Sequence, residues 1–223
     1  PNWFVNGGDL SPEEFGLKAA RALEEKIDEI GEDNIAAFIA EPIQGAGGVI
    51  VPPDSYWPEV SRILKARDIL FISDEVICGF GRTGSLFGCE TLGTEPDLIT
   101  FAKAVTNGFQ PLGGVLVSDK IASVITAKGG EFAHGFTYSG HPIACAAAMA
   151  TLDIMQSENI FDRVRDHAAP YMQKRWAELG EHPIVGHTRG LGMFGSMELV
   201  RNKETRERLA PDQISGGICR DLA

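Results

Sequence analysis

Two mostly apolar runs of strand length stand out in the hydrophobic pattern of the chain, and each is followed by a charged residue. Leu70–Ser73 precedes Asp74, and Leu98–Ala102 precedes Lys103. Continuous apolar runs are typical of strands buried in a parallel sheet, whereas half-exposed strands alternate polar and apolar residues. The pattern therefore predicts two parallel strands that bring an acid and a lysine to the sheet edge where α/β proteins bind ligands.

The preceding segments extend this pattern towards the N-terminus. Ile35–Ala40 is a third apolar run and ends at Glu41, so a third charge is predicted at the same sheet edge. Ser11, followed by a proline and two glutamates, is a typical helix start, and this helix is predicted to end at Ile30. A second helix is predicted to end near Ala66, which makes a strand–helix–strand unit with the next strand. The predicted buried face of the first helix comprises Phe15, Ala19, Leu23, Ile27 and Ile30.

The rest of the chain contains both helical and strand patterns. The elements predicted there are a strand over Gly113–Val117, a helix over Lys120–Ala127 capped by Ser118, helices from Pro142 and over Ile160–Leu179, a strand over Thr188–Leu199, and a helix at the C-terminal end. The predicted fold class is α/β. We expect residues 1–158 to form part of a large domain with a mainly parallel sheet, and residues 159–223 to start a small α+β domain.

Composition and charge exclude several classes of partner. With 223 residues, 43% of them hydrophobic, the chain is long enough to bury about 70% of its unfolded surface. Its net charge of -11 argues against nucleic acid and anionic membranes as partners. The 4 cysteines show no CxxC spacing, which indicates reduced thiols and a cytoplasmic location. No stretch approaches the roughly 18 apolar residues of a membrane-spanning helix.

Asp74 and Lys103 together suggest a specific chemistry. A single charge at a strand end is most often a turn residue or a helix cap. A lysine that bonds covalently to a cofactor aldehyde, however, needs a desolvated setting, which lowers its pKa so that the free amine exists. Pyridoxal phosphate also needs a carboxylate beside its pyridine nitrogen, which keeps that nitrogen protonated. An acid and a lysine at one sheet edge can fill these two roles.

Three motifs carry a resemblance to a known family: SDEV at Ser73–Val76, GFGRTG at Gly79–Gly84 and DLITFAKAVTNG at Asp97–Gly108. With these motifs at this spacing, the chain resembles the class III aminotransferases, and within them the ω-transaminases that pair amines with pyruvate. The resemblance implies a fold-type-I pyridoxal-phosphate enzyme in which Lys103 holds the cofactor and Asp74 pairs with its ring nitrogen. It also implies a homodimer with shared active sites, and an amine and a keto acid as small-molecule substrates.

The same resemblance assigns further cofactor-binding residues. Val76 is expected to pack under the cofactor ring, whose hydroxyl is reached in several relatives by a glutamine at the position of Ile77. The segment FTYSGHP is expected to cross the dimer interface, where Phe136 and Thr137 contact the neighbouring subunit's cofactor and Thr137 binds its phosphate. Glu41, in the segment EPIQGAGG, is expected beside the cofactor. Taken alone, the glycines of that segment indicate only a tight turn, because they match neither a P-loop nor a dinucleotide-binding pattern.

Metal binding is not expected. His134 and His141 are close in sequence, but no set of carboxylate or cysteine ligands accompanies them.

Alternatives stay open for the activity. The chain resembles only the middle and part of the C-terminal region of a longer family and begins with Pro1, so we expect a fragment. The main phosphate cradle and an aromatic residue stacked on the ring are expected in the part that precedes Pro1. Dialkylglycine decarboxylation and aminomutase action use the same lysine and aspartate. A non-catalytic dimerisation piece is a further alternative, from a different class of function.

Overall fold

The computed structural model describes residues 1–210 and contains a four-stranded sheet whose order follows the chain. Its strands are β1 (Ala37–Ala40), β2 (Leu70–Asp74), β3 (Leu98–Phe101) and β4 (Gly114–Val117). β1, β2 and β3 are parallel to one another, and β4 pairs with β3 in the antiparallel sense. The prediction of one shared edge is confirmed, because Glu41, Asp74 and Lys103 lie at the carboxyl ends of three parallel strands.

Helices precede, connect and follow these strands. They are α1 (Trp3–Asn6), α2 (Pro12–Ile30), α3 (Tyr56–Ala66), α4 (Gly88–Leu92), α5 (Asp119–Lys128), α6 (Pro142–Ser157), α7 (Ile160–Arg163) and α8 (Ala169–Glu178). Short 3₁₀ turns lie at Glu32–Asn34, Lys103–Val105 and Leu179–Glu181. Among the described residues, no helix has both the length and the hydrophobicity needed to cross a membrane. The helix predicted at the C-terminal end lies outside residues 1–210.

The packing of α2 against α3 builds the main core beside the sheet. α2 starts as predicted, because the Ser11 hydroxyl accepts a bond from the Glu14 amide and the Glu14 carboxylate accepts one from the Ser11 amide. Its predicted apolar face is partly wrong: Ala20 is fully buried, whereas Ile30 is 45% exposed. Ile30 is the last residue of the helix and lies past the core. That core comprises Ala20, Ile27, Trp57, Val60, Ile63, Leu64, Ile69 and Phe71.

The antiparallel sheet that follows corrects the prediction of a single strand over Thr188–Leu199. The chain forms a hairpin of β5 (Val185–Leu191) and β6 (Phe194–Asn202), to which β7 (Glu207–Arg208) is added. The turn lies at Gly192, which has a φ of +60° and whose added Cβ would meet the Arg82 carbonyl oxygen at 2.3 Å. The turn itself contacts the loop after β2, because the Met193 amide donates a hydrogen bond to the Arg82 carbonyl at 2.7 Å.

Two further predictions change in detail. The helix predicted over Ile160–Leu179 consists of α7 and α8, joined by a π-helical turn at Val164–Ala168. Ser118 lies at the N-cap of α5, but its side chain makes no capping bond, and its buried hydroxyl has no partner among the described residues. The break between α7 and α8 has a local cause. Pro170, in the first turn of α8, lacks the amide hydrogen that a regular helix over Ile160–Leu179 would need.

α1 packs on the second sheet through a cluster of rings around His187. The His187 ring is stacked on Phe4 at 5.1 Å and meets Trp3 edge-on at 6.1 Å between ring centroids. The Arg206 guanidinium lies 5.0 Å from the Trp3 ring centroid and 5.2 Å from that of Phe4. Burial lowers the pKa of His187, and Arg189 and Arg206 lower it further, while Glu198 raises it.

This cluster makes the stability of the protein sensitive to acid. Because the folded protein favours neutral His187, its contribution is complete above about pH 6.5 and is lost as the pH falls from there through the lowered folded-state pKa. We expect His187→Phe to reduce the loss of unfolding free energy between pH 7.5 and 5, measured by urea denaturation. The exposed His167→Phe is the control, and an equal pH dependence in both variants would contradict the assignment.

Candidate active site

Asp74, at the end of β2, faces a cleft of about 410 Å³ that we call the Asp74 cleft. Its Oδ1 accepts a hydrogen bond from the Val76 amide at 3.1 Å, so a local turn fixes the carboxylate. Besides Asp74, the residues that line the cleft include Glu41, Gln44, Ile50, Tyr56 and Trp57. The structure thus brings together two of the predicted site residues, Asp74 and Glu41.

The glycine-rich loop, residues 41–50, forms one wall of this cleft. The Glu41 Oε2 accepts a bond from the Gly45 amide at 2.9 Å, and Gln44 and Ile50 exchange two backbone bonds of 3.1 and 2.9 Å. Ile77 packs under the loop: a Cβ on Gly45 would lie 2.4 Å from the Ile77 Cδ1. Ile77 therefore supports the loop through an apolar contact.

Lys103 follows β3 and has an unusual backbone conformation. Its φ is +49°, a left-handed value that is uncommon for residues other than glycine and that often marks functional sites. It begins a 3₁₀ turn, and the turn that follows is tied by a bond from the Thr106 hydroxyl to the Gln110 carbonyl at 2.5 Å. The Lys103 side chain is exposed and lines an open second cleft of about 700 Å³. The desolvated setting predicted for this amine is thus not formed by the described residues.

The register of the sheet relates these two clefts. Asp74 pairs with Thr100 across β2 and β3, so Lys103 lies three residues beyond the position opposite Asp74. Neighbouring strands are about 4.8 Å apart, which places both residues at the same corner of the sheet edge. Both residues of the predicted pair therefore lie at the same sheet edge, each in the lining of its own cleft.

Phe136 and Thr137 lie in a segment that is exposed throughout, residues 131–140. The Phe136 amide donates to the Ser139 hydroxyl at 2.8 Å, and the Ser139 amide donates to the Phe136 carbonyl at 2.9 Å. This closed turn presents Thr137 to the outside, with Phe136 79% exposed. Neither residue lines the Asp74 cleft.

Glu75 is the charged residue that sequence reasoning missed. It is 0% exposed, and its carboxylate accepts bonds from the Ser73 hydroxyl at 3.1 Å and from the Gly88 and Cys89 amides at 2.7 Å each. Those amides begin α4, so Glu75 ties the end of β2 to that helix. Successive residues of an extended chain point to opposite sides. Because Asp74 points to the ligand side, its direct sequence neighbour Glu75 could have been predicted to point the opposite way, into the protein.

We expect Glu75→Gln to lower the free energy of unfolding by about 1–3 kcal/mol, because the amide nitrogen of glutamine cannot accept a bond and leaves a buried amide unpaired. Chemical denaturation measures this change. Glu95→Gln, which alters an exposed ion pair with Lys65, is the matched control and should change the stability by less than about 0.5 kcal/mol. Equal stabilities of the two variants would contradict the structural role of Glu75.

The buried cysteines near this network are poor nucleophiles. Burial raises the pKa of the Cys78 thiol to about 12, and burial with the nearby Glu75 charge raises the pKa of Cys89 to about 12. Among residues 1–210, no group of three or more histidine, cysteine, aspartate or glutamate side chains is placed to hold a metal ion. Lys103 therefore stands out as the exposed nucleophile at the sheet edge.

Comparison with known protein families decides the assignment. The family model described as aminotransferase class-III matches residues 9–221. The chain belongs to the class III aminotransferases. Membership in this pyridoxal-phosphate-dependent family confirms the resemblance that the three motifs carry.

Curated class III relatives are similar along nearly the whole chain. The putrescine–pyruvate aminotransferase of Pseudomonas aeruginosa is 58% identical over 221 residues, which cover 99% of this chain and 48% of that protein. The chloroplastic gamma aminobutyrate transaminase 3 of Solanum lycopersicum is 47% identical over 213 residues, which cover 94% of this chain and 41% of that protein. The chain spans about half the length of the curated relatives it matches.

Solved structures confirm the fold of this class III aminotransferase chain. A thermostable (S)-enantioselective omega-transaminase from Thermomicrobium roseum superposes with a TM-score of 0.89 at 47% identity, covering 95% of this chain and 47% of that one. The PMP-bound aminotransferase from Vibrio fluvialis gives a TM-score of 0.90 at 39% identity, covering 100% of this chain and 51% of that one. The α/β fold is that of the fold-type-I pyridoxal-phosphate enzymes.

The donor set of the site fits the cofactor of the class III aminotransferases. The Oδ1 of Asp74 is engaged by the Val76 amide, while its Oδ2 makes no hydrogen bond to another of residues 1–210 and can accept one from a ring nitrogen. Lys103 presents an exposed amine at the same corner of the sheet. These two groups match the ring nitrogen and the aldehyde of pyridoxal phosphate.

Proposed function

We propose that the protein is a pyridoxal-phosphate-dependent transaminase that moves an amino group from an amine or ω-amino donor to a keto acid such as pyruvate. The observation that carries the proposal is the placement of Asp74 and Lys103 after neighbouring parallel strands at one sheet edge. The names of relatives support the substrate classes, since one acts on putrescine and pyruvate and another on gamma aminobutyrate.

Each site residue has a role that follows from its chemistry. When bound, the cofactor supplies an aldehyde that takes up the amine and a ring that accepts electrons from the substrate carbon. The Lys103 Nζ would hold the cofactor covalently and would move the proton at the substrate carbon. The Asp74 carboxylate keeps the ring nitrogen protonated. Val76 would pack under the ring, and Glu41 would lie beside it.

We infer further that the active enzyme is a homodimer with shared sites. The exposed apolar residues Val115, Leu116, Phe132 and Phe136 support the presence of a subunit interface. A second subunit there would cover Lys103 and supply the missing desolvation. Thr137, exposed on its turn, would donate its hydroxyl to the neighbouring subunit's cofactor phosphate.

The domain division and the location belong to the same proposal. A large domain of residues 1–158 and a small domain that starts at 159 agree with the change from a mainly parallel to an antiparallel sheet. Cys78, Cys89 and Cys145 are free thiols, which supports a cytoplasmic location.

The test is an assay of the whole protein that contains this chain, purified and supplied with pyridoxal phosphate, putrescine and pyruvate. We expect alanine to form only when cofactor and donor are both present. Carbon dioxide released from a dialkylglycine, without alanine from putrescine, would favour the decarboxylase alternative. A protein that acquires no visible absorbance band with the cofactor would contradict the proposal and leave the non-catalytic alternative.

A further inference from the structure

Arg189, on β5, reaches from the antiparallel sheet to the glycine-rich loop. Its Nε donates to the Val49 carbonyl at 3.0 Å and its Nη2 to the Gly48 carbonyl at 2.6 Å. Its Nη1 donates to the Glu198 carboxylate at 2.9 Å. The Arg189 side chain is only 10% exposed. All three guanidinium nitrogens therefore donate hydrogen bonds. The bond to Glu198 fixes the orientation of the guanidinium plane, and the other two nitrogens hold the two loop carbonyls.

The conformation of the loop at Val49 requires stabilisation by a residue outside the loop. Val49 has a φ of +51°, and a β-branched residue rarely adopts this left-handed conformation. Within the loop, the Gly48 and Val49 amides both donate to the Gly45 carbonyl at 3.0 Å. These bonds turn the carbonyls of the same two residues towards Arg189. A strained conformation of this kind persists only where surrounding groups determine it.

The conformation of this loop determines the shape of the Asp74 cleft. Glu41, Gln44 and Ile50 of the loop line the cleft together with Asp74. The bonds of Arg189 to Gly48 and Val49 lie just before Ile50, on the returning arm of the loop. A change in that arm therefore moves a wall that the cofactor would contact.

We propose that Arg189 is a positioning residue for the cofactor site: it clamps the glycine-rich loop in the conformation that forms one wall of the Asp74 cleft. The clamp also links the antiparallel sheet to that site, although Arg189 itself does not line the cleft. Arginine suits this role because its planar fork serves three acceptors at once, which the point charge of a lysine does not. The part of the inference that concerns pyridoxal phosphate rests on the proposed function.

The experiment uses Arg189→Lys, Arg189→Met, and the double variant Arg189→Met with Glu198→Met. The double variant also removes the Glu198 carboxylate, which Arg189→Met leaves with only the more distant Arg208 at 3.8 Å. It therefore separates loss of the clamp from the effect of a poorly paired charge. Arg175→Met, which alters an exposed pair with Glu178, is the matched control. Hydrogen–deuterium exchange of peptides covering residues 42–50 is measured without cofactor, and the dissociation constant of pyridoxal phosphate is then measured by absorbance titration.

In all three Arg189 variants, we expect the loop amides to exchange about tenfold faster than in the wild type, with peptides of α2 and α3 unchanged. We also expect the dissociation constant of pyridoxal phosphate to rise about tenfold. Unchanged loop exchange would overturn the proposal, and so would faster exchange with unchanged cofactor affinity. If the wild type binds no pyridoxal phosphate, the proposed function fails, whereas the exchange data still decide whether the clamp exists.

Discussion

The Lys103→Ala protein is expected to lose transaminase activity by at least about 10³-fold, because alanine can neither hold the cofactor covalently nor move the substrate proton. The fold should persist, because Lys103 is exposed and alanine can adopt its φ of +49° at a similar cost. Initial rates of alanine formation measure the effect. Borohydride should fix the cofactor to the wild-type chain at Lys103, as read by peptide mass spectrometry, and leave the variant unlabelled.

Two further variants sharpen this result. Lys103→Arg keeps the positive charge but cannot lose its proton, so it should be as inactive as Lys103→Ala. Lys120→Ala removes another exposed lysine, which pairs with Asp68 at 3.4 Å, and should behave like the wild type. Borohydride labelling of Lys103→Ala at a different lysine would show that the covalent role is assigned to the wrong residue.

The Asp74→Asn protein is expected to fold normally but to lose between about 10²- and 10⁴-fold in kcat/KM. Asparagine can still accept the bond from the Val76 amide, so the turn after β2 is kept. A neutral amide cannot hold a ring nitrogen protonated, and the loss of one member of a buried charge pair costs about 3–5 kcal/mol. Steady-state kinetics and cofactor titration measure the effect.

The control for Asp74→Asn is Asp54→Asn, at an exposed position just before α3. This variant has the same change in charge and size and should keep full activity. If Asp74→Asn retained kcat/KM within about tenfold of the wild type, the carboxylate would not be the partner of the ring nitrogen.

The strands and the sheet edge were predictable because the signal for them is local. Continuous apolar runs before Asp74 and Lys103 indicated buried parallel strands, and the structure pairs these strands as expected. The capping box of Ser11 and Glu14 was likewise contained in four consecutive residues. In each case, a short segment carries the whole physical cause of the structure.

The remaining features depend on contacts between residues far apart in sequence. The turn at Gly192 exists because the chain there packs on Arg82, and the clamp joins Arg189 to residues 48 and 49, about 140 positions away. Glu75 was missed because two of its three hydrogen bonds reach the start of α4, beyond any helical or strand repeat. Lys103 shows the same limit of sequence-based prediction. A desolvated amine was expected there, but the groups that would desolvate it are not among the described neighbours.

Because residues 45 and 77 are in contact, the size of the side chain at one position limits the size tolerated at the other. Gly45→Ala alone places a methyl group 2.4 Å from the Ile77 Cδ1, so a side chain at position 45 requires the end of the Ile77 side chain to move. Ile77→Val removes the Cδ1 and leaves the Cγ2, at 3.0 Å, as the nearest atom of that side chain. A library that aims to reshape the Asp74 cleft should therefore vary both positions together, so that a larger residue at 45 is paired with a smaller one at 77.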